Sequence, residues 1–170
     1  MKKKPRKTFI IATLFVFGLI VLLTLAYFYF ASGKINTIKV YFFRREKMVA
    51  VERALRPDQS PLRQALLSLL AGPNQKEREQ GIITQFPFGV KVLGIALKNG
   101  IATVNLSARI NAYGGGATRV RGMIAQVVYT VTELPGIEKV WIWVEGKSEV
   151  TLGSEGLVLD KPLRRNDAGY

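Results

Sequence analysis

From Phe9 to Ala31 the chain carries no charged residue. A bilayer core of about 30 Å needs roughly 20 apolar residues to cross as a helix, so this run predicts a transmembrane helix over residues 9–31. Lys2, Lys3, Lys4, Arg6 and Lys7 stand just before it. Under the positive-inside rule they hold residues 1–8 in the cytoplasm and leave everything after Lys34 outside. Tyr27, Phe28, Tyr29 and Phe30 at the outer end fit an interfacial aromatic belt. A secretory signal peptide cleaved near Ala31-Ser32-Gly33 is the alternative, but its apolar run spans only about 7–15 residues, which favours an uncleaved anchor in the cell membrane.

Beyond a linker at 32–37 the pattern changes to alternation. Ile38, Val40 and Phe42 fall on one side and Lys39, Tyr41 and Phe43 on the other, which is the period of a strand. A second extended piece over Val49 to Leu55 follows the charged turn Arg44 to Lys47. Ser60-Pro61 then opens a helix, with Leu62, Ala65, Leu66, Leu69 and Leu70 as its apolar stripe and Gly72-Pro73 as its stop. The polar stretch from Asn74 to Gly81 reads as an exposed connection.

Asn99-Gly100 interrupts two apolar-rich runs between Val90 and Leu106, and this pair suits a two-residue type I′ hairpin because both positions need positive φ. The turn sets a register: Lys98 opposite Ile101, Leu97 opposite Ala102, Ile95 opposite Val104 and Leu93 opposite Leu106. After a loop with Gly114-Gly115-Gly116 and a Thr118 cap, Val120, Met123, Ile124, Val127, Val128, Val131 and Leu134 recur at helical spacing until Pro135-Gly136. Val140, Ile142 and Val144 alternate with Trp141 and Trp143 in a strong strand, and Leu157 to Leu159 adds a short final one. Strand, strand, helix, hairpin, helix, strand predicts an α+β domain over 38–163: a small mixed β-sheet with both helices packed on one face. Residues 164–170 read as a flexible tail.

Charge and composition then narrow the chemistry. The formal net charge is +13. Five of the 25 basic residues precede the apolar run, leaving 20 against 12 acidic ones outside, a surplus of eight. Such a surplus attracts anionic headgroups, nucleic acid or acidic wall polymers. The basic residues follow no ribonucleoprotein-like or zinc-finger pattern, which argues against nucleic acid. With no Cys and no His in the chain, disulfides, thiol or imidazole catalysis, and thiolate or imidazole metal sites are excluded. No cofactor and no catalytic or metal residue is assigned.

The run Val128-Tyr129-Thr130-Val131-Thr132-Glu133-Leu134-Pro135-Gly136-Ile137, followed by Val140 to Gly146, resembles the most characteristic stretch of the GerMN domain family. Val40-Tyr41-Phe42, the helix around Ala65 to Pro73, and Gly100 to Ser107 agree in order, so the likeness covers about residues 38–163. It implies an αββαβ core similar to ring-building motifs, and a non-enzymatic extracytoplasmic module that joins neighbours in the envelope of a spore-forming Gram-positive bacterium. Sporulation and germination are the settings it suggests, with envelope proteins or further copies of the chain as partners. Relatives in germination often look like lipoproteins with two such domains, whereas this chain has one domain, an apolar anchor and no lipobox Cys.

Five residues stand out as interaction candidates. Trp141 and Trp143 share a strand face: outward they serve protein contacts or stacking on wall glycan, unless Val49 to Leu55 or the last strand covers them. Arg119 and Arg121, with Tyr113 just before the glycines, flank a helix start whose N–H groups suit an anion. A plain flexible loop explains the same residues and is the preferred reading. Glu133, Glu138 and Glu145 are the carboxylates to weigh for glycosidase chemistry, which needs two of them across a cleft. Their predicted placement favours surface charges. The basic stretch Lys34 to Arg56 suits either anionic headgroups or protected strand edges.

Overall fold

The computed structural model describes residues 14–24, 37–112, 116–153 and 157–170. Two units divide the chain, Met1–Ile35 and Asn36–Tyr170. In the first, helix α1 covers residues 14–24, and its large side chains from Leu14 to Leu23 are exposed. Among the described residues no helix is long and apolar enough to cross a membrane. The rest of the expected 9–31 span lies outside the described residues.

Among the described residues the buried core lies in the second unit, from Ile38 to Ala168. That unit therefore holds within itself the packing it needs to fold. Its elements are β1 (Thr37–Arg44), β2 (Lys47–Ala54), α2 (Pro61–Ala71), α3 (Gln75–Glu79), β3 (Ile82–Ile83), β4 (Val92–Lys98), β5 (Ile101–Leu106), α4 (Ala117–Thr132), β6 (Lys139–Val144), β7 (Val150–Leu152) and β8 (Leu157–Leu159). Short 3-10 turns follow β5 at Ala108–Asn111 and β8 at Arg165–Asp167.

The strands do not join in one sheet. β2-β1-β3 form one antiparallel sheet; β4-β5-β6 form a second, mixed one in which β5 and β6 run parallel; β7 and β8 pair separately. Helices α2 and α4 pack on each other and touch strands of both larger sheets. The αββαβ order is present as α2-β4-β5-α4-β6, with α2 and α4 against the buried face of the mixed β4-β5-β6 sheet; β1 and β2, expected in that sheet, instead form a separate one with β3 that packs on the same helices. From Gly122 to Val128 every residue of α4 is buried, so the apolar stripe read from the sequence is only one of its two packed sides.

The other side of α4 meets β1. Gly122, Gln126 and Thr130 recur every four residues, and their small or polar side chains leave room for the strand. A Cβ at Gly122 would lie 2.8 Å from Gln85 Cγ and 3.4 Å from Phe43 Cε2. Tyr41 N donates to Thr130 Oγ1 at 3.0 Å, and Gln126 Nε2 donates to Tyr41 O at 3.0 Å. β1 pairs with β3 only at Phe43 and Arg44, so side chains of the helix satisfy backbone groups that a neighbouring strand would otherwise take.

The hairpin turn adopts the expected geometry, with φ 51° at Asn99 and 73° at Gly100. Its register holds from Lys98↔Ile101 to Gly94↔Asn105, then shifts so that Val92, not Leu93, opposes Leu106. The extra residue makes a bulge, which Gly94 accommodates without a side chain, and Leu93 turns outward at 48 % exposure. Pro61 starts α2 as expected, although Ser60 makes no side-chain cap bond. The 74–81 connection contains α3, nucleated by a capping box between Asn74 and Glu77. Residues 164–170 form a docked segment and not a loose tail: Leu163 exchanges both backbone bonds with Val140, Ala168 is buried, and Tyr170 packs edge-on against Phe43 at 5.1 Å.

Candidate interaction surface

In β6 the branched residues Val140, Ile142 and Val144 point into the helix layer and are buried. Alternation sends Trp141 and Trp143 to the opposite face. There they stand beside Thr103 and Asn105 of β5, which in turn oppose Ala96 and Gly94 of β4. Both indoles are half-buried. They pack edge to face, with centroids 5.6 Å apart and planes at 90°. Trp141 Nε1 donates to Ser148 O at 3.2 Å, so the loop after β6 leans on this ring. The Val49 to Leu55 segment belongs to the other sheet, and β8 pairs with β7. Trp143 Nε1 is buried without an acceptor among the described residues, a penalty of about 1–3 kcal/mol for such a group.

At the start of α4 the N-cap is Gly116, with no side-chain cap; Thr118 already lies inside the helix. Arg119 Nε donates to Gln85 O at 3.0 Å and ties this end to the connection after β3. Arg121 is exposed and edges a shallow cavity of about 190 Å³ whose other walls are Ala117, Val120, Leu152, Gly153, Leu157 and Val158. Arg121 is the one cation among the described residues that line it. Tyr113, Gly114 and Gly115 lie outside the described residues. The tryptophans and the arginines thus occupy two separate elements.

The most connected polar group was not singled out by its sequence context as an anchor. Glu133, at the C-cap of α4, receives hydrogen bonds from Lys39 Nζ at 3.1 Å, Tyr41 Oη at 2.8 Å and the Arg165 guanidinium at 2.6 Å. Arg165 also donates to Thr132 Oγ1 and Tyr129 O, and lies 5.6 Å and 5.0 Å from the ring centres of Tyr41 and Tyr129. Burial by itself raises the Glu133 carboxyl, but the bonds from Arg165, Tyr41 and Lys39 outweigh it and hold the group at about 2. For Tyr41, burial and then the bond to Glu133 push the phenol up. Glu133 is therefore a committed anion that fastens β1, α4 and the C-terminal segment together. The paired tyrosines and Arg165 are the signal that follows from geometry and not from spacing, since 92 residues separate Tyr41 from Glu133.

The other two carboxylates do not join it. Glu145 Oε1 accepts from Ala108 N at 2.7 Å, and Glu138 is exposed near Gly100. Among the described residues no group of three or more acidic side chains is placed to hold a metal ion. A second forked ion pair, Arg53 to Glu77 at 2.6 and 2.7 Å, fixes α3 to β2; this bidentate form is the strong one. The Arg53 bond also lowers the Glu77 carboxyl.

Comparison with known proteins places this arrangement. The family profile called Germane, described as sporulation and spore germination, matches residues 28–150. The first GerMN domain of the sporulation protein GerM from Bacillus subtilis superposes with TM-score 0.64 at 21 % identity, over 77 % of this chain and 98 % of that one. The tandem GerMN domains of the same protein give 0.62 at 23 % identity, over 76 % of this chain and 44 % of theirs, so the chain spans less than half of that structure. A Clostridium perfringens protein described as a lipoprotein gives 0.57 at 24 % identity, over 78 % and 91 % of the two chains. No curated protein sequence matches.

Proposed function

Because the chain belongs to the Germane family of sporulation and spore germination domains, we propose that it is a non-enzymatic assembly module of the cell envelope. In this reading residues 9–31 anchor it in the membrane, residues 1–8 stay in the cytoplasm, and the domain from Asn36 onward works outside. It binds envelope proteins or further copies of itself. Anchoring confines such domains to a plane and raises their effective concentration, so modest contacts suffice.

The observation that carries the reading is the outer face of the β4-β5-β6 sheet. It presents Ala96, Thr103 and the half-buried Trp141 and Trp143 on rigid strands, and Trp is an enriched anchor of protein contacts. A wall-glycan site is the second reading, and the same tryptophans favour it. The 90° angle between the indoles weighs against it, since a flat run of sugars stacks best on rings that share a plane.

The test is the mass of the full chain in detergent across a concentration series. A concentration-dependent oligomer that Ala96→Glu disperses supports assembly through this face. Ala96 is exposed, so that change leaves the core intact. A chain that stays monomeric and binds peptidoglycan, with Ala96→Glu abolishing that binding, supports the glycan reading instead.

A further inference from the structure

The ion pairs of the domain gather toward one end of α4. Phe43 packs near Gly122, Tyr41 bonds Gln126 and Thr130, and Lys39 bonds Glu133. β1 therefore runs opposite to α4, and the β1–β2 hairpin tip sits at the start of the helix, about 25 Å from Thr37 along the strand. All three ion pairs found among the described residues lie toward the Thr37 end: Lys39 and Arg165 with Glu133, and Arg53 with Glu77. At the tip end Arg44, Arg45, Lys47, Lys91, Arg109 and Arg121 enter no such pair. Glu46 is the acidic residue of the turn itself, where Arg45 and Glu46 both take positive φ.

Two apolar side chains stand out among these cations. Phe88 is 93 % exposed and Ile83 is 53 % exposed. The Phe88 loop is held in place: Phe86 and Pro87 are buried beneath it, Arg109 Nε donates to Phe88 O at 3.2 Å, and Gly89 turns the chain at φ 89°. A fully exposed ring on a fixed loop contributes nothing to the core. With Arg109 bonded to its carbonyl and Arg44, Arg45 and Lys47 on the hairpin tip at the same end of the domain, it has the chemistry of a segment that rests at a lipid interface, with apolar groups among the chains and Lys and Arg at anionic headgroups.

We propose that this end of the domain docks on an anionic phospholipid surface, with Phe88 inserted and Arg44, Arg45 and Lys47 against the headgroups. A soluble anionic polymer would be bound by the charges alone and would have no use for Phe88.

The test uses the compact unit 36–170, sedimented with vesicles of phosphatidylcholine alone or with equal parts of phosphatidylglycerol. Binding to the anionic vesicles only, weakened by salt, is the expected result. Arg45→Ser with Lys47→Ser should lower the affinity about fivefold for each charge removed. Phe88→Ser should lower it about tenfold while leaving the thermal unfolding midpoint unchanged, since the ring is outside the core. Absence of binding to anionic vesicles overturns the proposal. So does binding that Phe88→Ser leaves intact and soluble polyphosphate competes away, which would assign the surface to a polymer.

Discussion

Glu133→Gln removes a charge and keeps the shape, and the structure sets both the size and the pH range of its effect. The carboxyl is held at about 2 against an ordinary 4.5. A shift of that size corresponds to about 3 kcal/mol between the protonation states. Glu133 keeps 23 % of its side-chain surface and Lys39 keeps 50 %, so solvent screening reduces the expected contribution to roughly 1–2 kcal/mol. Because the folded value lies below the unfolded one, the stabilisation is complete above about pH 4.5 and drains away as pH falls toward 2. Urea unfolding of the 36–170 unit, followed by Trp141 and Trp143 emission, should show Glu133→Gln less stable at pH 7 and nearly equal to the parent at pH 2. An equal penalty at both values, or none at pH 7, would refute the assignment of Glu133 as a charged fastener.

Gln126→Leu should cost about 2–4 kcal/mol, because it leaves Tyr41 O and Gln85 N without their partner in a buried site; faster amide exchange at Gln85 and a lower urea midpoint check it. Asn99→Ala should cost about 1–2 kcal/mol, since a plain L-residue resists the left-handed turn position, and Asn99→Gly should restore most of the loss in the same assay.

The parts of the fold that local chemistry dictates were legible. Asn99-Gly100 sets its turn by backbone preference alone, and Pro61 and Gly72 mark the ends of α2 for the same reason. The second sheet was not legible, because β1 and the β4–β6 group look alike along the chain and only their opposite sides of α4 distinguish them. Gly122, Gln126 and Thr130 lie off the apolar stripe of α4, and they are the contact that closes the edge of β1. β3 has two residues and β7 three, too few for a period to show. The capping box at Asn74 and Glu77 marks α3 inside a stretch that reads from its polarity as an exposed connection. The Leu93 bulge was not legible, since alternation predicts the regular register wherever apolar residues are plentiful. Of the candidate site, the Trp141 and Trp143 face follows from alternation, whereas Glu133 joins groups far apart in sequence and no local pattern reveals it.

The enclosed helix layer limits how copies of this domain can meet. α4 offers almost no outward face, and α2 keeps only the narrow exposed stripe of Arg63, Leu67 and Ala71. Contacts then fall on the sheets: the Trp face, or the outer edges of β2 and β4. The β4 edge is broken by the bulge at Leu93, which hinders strand addition. β2 is regular over all eight residues from Lys47 to Ala54, and it is the edge on which a further strand would pair. Tyr41 gives its N–H and C=O to α4, so its partner Ala50 faces it without ladder bonds and turns its own N–H to the open edge. Ala50→Pro deletes that outward donor and no bond between β1 and β2. If assembly proceeds by strand addition, the oligomer should be lost while the circular dichroism spectrum is kept. If Ala50→Pro oligomerises like the parent and Ala96→Glu does not, the sheet face carries the contact and the β2 edge is idle.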